Sequence, residues 1–174
     1  MRRPPPSRNL ALLVTRGTPP MSLRIWATCG VRRDSLLPLN LTLEWAGRIG
    51  HPSSYGLLTG RRSARPSIGA PAAGVAYPDS LAGAADDVRW GLPAEYRRAV
   101  AEAVAGLPEP LRITDAAHGL AGSSPHVFRV LTGLLGGMLA TGVPVDDDEI
   151  WRLHDAATRQ ANRTARPPGR TAPA

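Results

Sequence analysis

The densest concentration of chemically useful groups is His118-Gly119-Leu120-Ala121-Gly122-Ser123-Ser124. Glycines let the backbone turn its N–H groups inward, and successive N–H groups at a helix N-terminus make a cradle for an anion. Gly119, Gly122, Ser123 and Ser124 are therefore the candidate anion-binding residues. A simpler use of the same residues is to make a sharp turn and cap the following helix. Asp115, His118 and His126 are donors that zinc accepts, but their spacing is not a metal-binding pattern, and no metal ligand is assigned. Ser123 or Ser124 with His126 has the types of a nucleophile and its base. G-x-S-x-G is absent, however, and His126 lies on the same first helical turn, so no catalytic residue is assigned. Arg32 and Arg33 are the only adjacent basic pair near a candidate tip, the Gly30–Ser35 turn, and are the candidate contacts for a nucleic-acid backbone.

These groups need elements to hold them. Leu111, Ile113 and Ala116 mark a strand before the glycine turn, and Ser124-Pro125 opens a helix, with Ser124 at the cap and Pro125 at the first helical position. Val127, Leu131, Leu134 and Met138, with Phe128, Leu135 and Leu139 beside them, recur at helical spacing over Pro125–Ala140. Gly133 and Gly137 form a small-residue ridge on it, suited to close helix packing. Leu23, Ile25, Ala27 and Cys29 alternate with Ser22, Arg24, Trp26 and Thr28 as a half-buried strand. Leu37, Leu39, Leu41, Leu43 and Trp45 form a second, which has an edge at Pro38 or enters the sheet after it. Pro93–Ala105 reads as an amphipathic helix with Glu95 in its first turn. Asp146-Asp147-Asp148-Glu149 caps a third helix carrying Ile150, Leu153, Ala157 and Ala161.

The resulting organisation has a disordered extension over 1–20, with Met21 an alternative start. An α+β sandwich follows over 21–145, with a loop insertion over 51–80, then a C-terminal helix over 146–163 and a disordered tail over 164–174. Residues 51–80 carry Pro52, Gly56, Gly60, Pro66, Gly69, Pro71, Gly74 and Pro78 without a consistent period, which is the basis for the insertion.

Every one of the 21 basic residues is arginine and the formal charge is +7. With abundant Ala, Gly and Pro, this points to a GC-rich bacterial genome. The charge is uneven: residues 81–150 hold ten acids against five arginines, so the basicity sits in the terminal regions, which are expected to dominate any RNA affinity. One cysteine excludes a disulfide framework, and neither a signal sequence nor a transmembrane span is present, so a cytoplasmic location is expected. No cofactor is implied, and the oligomeric state is left open.

Gly91-Leu92-Pro93-Ala94-Glu95-Tyr96, followed by Ala99 and Val100, resembles the helix opening of domain IV of translation elongation factor G. Ser123-Ser124 with Phe128, after the Leu111–Ala116 strand, is similar to that domain's next strand and Ser-Ser-x-x-x-Phe helix start. The resemblance covers roughly residues 22–142. It implies a two-layer β-β-α-β-α sandwich with the ribosomal protein S5 domain 2-like fold, and a non-enzymatic module associated with the ribosome or RNA. The GTPase motif G-x-x-x-x-G-K-[ST] is missing, and there is no lysine to fill it. Gly119-Leu120-Ala121-Gly122-Ser123-Ser124 also looks like the phosphate loop of the small-molecule kinases that include galactokinase, homoserine kinase and mevalonate kinase. That likeness implies the alternative of a phosphate-ligand-binding protein or kinase remnant. A protein–protein interaction module is the third reading.

Overall fold

One mostly antiparallel sheet frames the molecule. The structure, a computed structural model, describes residues 7–18, 20–32, 35–47, 54–72 and 74–165. Strands β1 (Ser7–Arg16), β2 (Met21–Arg32), β3 (Ser35–Ala46) and β4 (Tyr55–Arg62) form an antiparallel meander. β7 (Leu111–Gly119) lies antiparallel to β4. Its other side is shared by β5 (Ser67–Ile68), which is parallel to it, and β6 (Val88–Trp90), which is antiparallel. Among the described residues, a seven-stranded sheet with three α-helices, α1 (Ala94–Ala105), α2 (Pro125–Thr141) and α3 (Asp147–Thr164), makes this an α+β protein. No helix among the described residues is long and apolar enough to cross a membrane.

The three helices cover one face of the sheet. Leu23, Ile25, Ala27 and Cys29 of β2, Leu41, Leu43 and Trp45 of β3, Leu58 of β4, and Leu111, Ile113 and Ala116 of β7 share one core with the apolar sides of all three. α2 lies at its centre: nine of its residues are buried, with the Ser124 hydroxyl accepting from the Val127 N–H at 3.3 Å at its start. Gly56 and Gly60 seat α2 on β4, since a Cβ at Gly56 would stand 2.8 Å from Leu131 Cδ1 and one at Gly60 2.7 Å from Leu135 Cδ2. The Asp146 carboxylate caps α3, accepting from Asp148 N at 2.8 Å and Glu149 N at 3.4 Å.

Three sequence expectations are corrected. Residues 7–16 are not part of a disordered extension: they form the edge strand β1, paired along its length with β2 and turned into it at Gly17, whose φ is 85°. Val14 is buried and Leu10 and Leu12 pack on the core, but Ala11 and Leu13 on the outer side are also apolar, so no alternation announces the strand. The 51–80 insertion contains β4, an interior strand between β3 and β7, whose glycines serve helix packing and not loop turning. Leu39, placed on the buried face by alternation, is the extra residue of a bulge between the pairs Thr28–Asn40 and Cys29–Pro38 and is 55% exposed. Pro38 thus sits where β3 has no β4 partner, because that pairing spans only Leu41 to Ala46. Residues 1–6 and 166–174 lie outside the described residues.

Candidate functional site

The face of the sheet without helices carries a different set of side chains. Trp26 of β2 stands opposite Thr42 of β3, Thr42 opposite Thr59 of β4, and Thr59 opposite Asp115 of β7. One row of outward residues thus crosses four adjacent strands. Asp115 is in that row because of a second bulge. Thr59 pairs with Asp115 and Gly60 with Ile113, leaving Thr114 extra, so Ile113 and Ala116 both face the helices while Asp115 and Ala117 face away. The next row holds Arg24, Glu44, Leu57 and Ala117, and Ala117 pairs in turn with Trp90 of β6.

Residues 69–72 and 74–92 leave β5, run over this face as a strap and return through β6. Tyr77 and Trp90 are held together by backbone bonds, Tyr77 N to Val88 O at 2.8 Å and Trp90 N to Val75 O at 2.9 Å, and their ring centroids lie 4.6 Å apart. A buried carboxylate fastens the strap: Glu44 Oε1 accepts from the Leu81 N–H and from the Tyr55 hydroxyl, each at 2.8 Å. The Arg24 guanidinium stands 3.5 Å from Glu44 Oε2, donates to Asp79 O at 3.3 Å and lies over the Trp26 ring at 5.1 Å. Desolvation raises the Glu44 pKa above the usual carboxylate range, against the opposing pull of the Leu81 N–H, Tyr55 and Arg24. Tyr55 is raised as well, first by burial and then by the Glu44 charge.

Between strap and sheet lies an open cleft of about 480 Å³, bounded by Trp26, Tyr77 and Trp90, floored by Leu57, Thr42 and Thr59, and edged by Asp115. The two threonine hydroxyls bond each other at 2.9 Å. In the following row Arg61 and Arg112 are direct cross-strand partners and both are exposed, and neither has an acidic partner among the described residues. Like charges facing each other destabilise a ladder, and an anion bound between them relieves that repulsion.

The glycine-serine turn has its own anion. Asp86 of the strap accepts from Ala121 N at 3.0 Å and Gly122 N at 2.7 Å. The Gly119 N–H donates to Ser123 Oγ at 2.9 Å, Ser123 Oγ donates to Tyr55 O at 2.7 Å, and Ser124 caps α2. Gly119, Gly122, Ser123 and Ser124 are thus brought together as expected, but the anion-binding assignment is corrected: a carboxylate of the chain fills the cradle and would repel a phosphate. Asp115 and His118 face opposite sides of the sheet, the latter buried with Nδ1 3.1 Å from Gly91 O. No metal-binding group of three or more His, Cys, Asp or Glu occurs among the described residues. Arg33 and the side chain of Arg32 lie outside the described residues.

Sequence reasoning missed the cleft because its aromatic residues come from distant segments. One signal was available: Trp26 stands on the outward side of an otherwise polar alternation, where a large aromatic marks a surface used for contact. Compared with protein-family models, with curated proteins and with solved structures, the chain matches none.

Proposed function

We propose that this chain is a non-enzymatic RNA-binding module of the ribosomal protein S5 domain 2-like kind that holds a single-stranded segment on its open sheet face. The observation that carries the reading is the juxtaposition of three aromatic rings around one cleft with Arg61 and Arg112, both lacking acidic partners among the described residues, in the adjacent row. Aromatic rings stack bases without regard to sequence, and arginines track the backbone; together they are what single-strand binding needs. The order of strands, α1, β7 and α2, with both helices on one face, supports the relation to elongation factor G domain IV drawn from the Gly91–Tyr96 and Ser123–Phe128 segments. Association with the ribosome is the corresponding cellular role. Occupation of the Gly119–Ser124 turn by Asp86 weighs against the kinase-like alternative.

Fluorescence anisotropy with a labelled all-uridine RNA octamer and the full chain, at two salt concentrations, tests this. Trp90→Ala is expected to weaken binding about tenfold, in line with the loss of one stacked base. Arg61→Ala with Arg112→Ala is expected to lower the salt slope by about 1.4, two single-strand phosphate contacts. Absence of binding by the wild type, or variants that bind like it, would overturn the reading.

A further inference from the structure

Resting on that reading of the cleft, we infer that it selects guanine and that the Asp115 carboxylate is the group that recognises it. The bulge at Thr114 turns Asp115 out of the helix-covered core and onto the rim of the cleft, where it is exposed and has no hydrogen-bond or ion-pair partner among the described residues. A carboxylate offers two adjacent acceptors and no donor. Guanine alone among the four RNA bases presents two adjacent donors on its Watson–Crick edge, N1–H and N2–H. Adenine and cytosine place an acceptor beside their amino group, which would oppose the second carboxylate oxygen, and uracil flanks its one N–H with two carbonyls.

The neighbouring polar groups complete the match. Thr42 and Thr59 share one hydroxyl hydrogen in their mutual bond at 2.9 Å, which leaves the other hydroxyl hydrogen free to donate. When Thr42 donates that bond, the free hydroxyl hydrogen is that of Thr59, the direct cross-strand partner of Asp115, and the row then presents acceptor, acceptor, donor in sequence. This is the complement of guanine N2–H, N1–H and O6. Stacking on the aromatic walls supplies affinity that every base shares, and Asp115 supplies the difference between bases. An organic cation is the other class of ligand that aromatic rings and a carboxylate attract. Arg24 already lies over Trp26, however, and Arg61 and Arg112 stand in the following row, so the local field favours a ligand that carries phosphates.

The experiment uses the full chain and uridine-rich RNA octamers that differ only at one central position: guanosine, inosine, adenosine, cytidine or uridine. Guanosine is expected to bind about tenfold more tightly than adenosine or uridine, with inosine, which keeps N1–H but lacks the N2 amino group, between them. Asp115→Asn exchanges one acceptor for a donor, and asparagine complements adenine, so this variant is expected to lose the guanosine preference and gain one for adenosine. Equal wild-type affinity for all five octamers, or a guanosine preference that survives Asp115→Asn, would overturn the inference and leave the stacking surface standing. If no octamer binds, the proposed function falls and this inference falls with it.

Discussion

Replacing Asp86 by alanine removes the carboxylate that joins the strap to the turn before α2. Two N–H groups lose their acceptor, Ala121 N at 3.0 Å and Gly122 N at 2.7 Å. Hydrogen bonds to a charged group contribute about 1.5–3 kcal/mol each, but the Ala121 group is exposed and regains water, whereas Gly122 is buried and does not. Asp86→Ala is therefore expected to cost about 2–3 kcal/mol in urea denaturation followed by tryptophan fluorescence. Asp86→Asn keeps one acceptor oxygen and is expected to cost about half as much. The empty cradle then becomes an anion site: phosphate at about ten times its dissociation constant should return about 1.4 kcal/mol to Asp86→Ala and nothing to the wild type. If phosphate raises the wild-type melting temperature as much as that of the variant, the N–H groups were never occupied. If Asp86→Ala unfolds within about 0.5 kcal/mol of the wild type, the clamp contributes nothing.

Gly60→Ala is expected to cost about 1–3 kcal/mol in the same assay, because the added methyl meets Leu135 Cδ2 at 2.7 Å and the Arg112 carbonyl oxygen at 3.2 Å. Gly137→Ala, with no atom within 4 Å of the new methyl, should stabilise α2 by up to about 1 kcal/mol. His154 is buried between the Trp45 and Trp151 rings, and desolvation lowers its pKa in spite of Asp155 beside it. The unfolded chain then binds the proton more readily than the folded one, so stability should fall as pH drops below the ordinary histidine value of about 6.5; subtracting the profile of His154→Phe isolates this contribution, and parallel profiles would refute it.

What was legible in the sequence was what is local. Ser124, Pro125 and the apolar face of α2 lie within one stretch, and the structure begins that helix at Pro125. α3 was legible for the same reason, with its cap at Asp146 and its buried residues on one side. β4 was not, because Gly56 and Gly60 have the same composition whether they turn a loop or make room for α2, and only the position of Leu131 and Leu135 distinguishes the two. Asp86 gave no sign of its role, since its partners lie 35 and 36 residues along the chain, beyond any local pattern. The cleft needed still more, a strap folded over a sheet to bring Tyr77 and Trp90 opposite Trp26.

Thr114 changes the phase of β7. Before it the odd-numbered residues Leu111 and Ile113 belong to the helices, and after it the even-numbered Ala116 does. One strand of nine residues therefore serves two compartments of opposite character without a break in the chain. Regular alternation that ran through Thr114 without the bulge would carry Asp115 beneath the helices, an unpaired charge in an apolar layer, and would swing His118 out onto the open face. The facing of Asp115 and His118 is accordingly set by one unpaired residue being left out of the ladder and not by its chemistry: many substitutions at position 114 preserve it, whereas pairing that residue into the ladder would not.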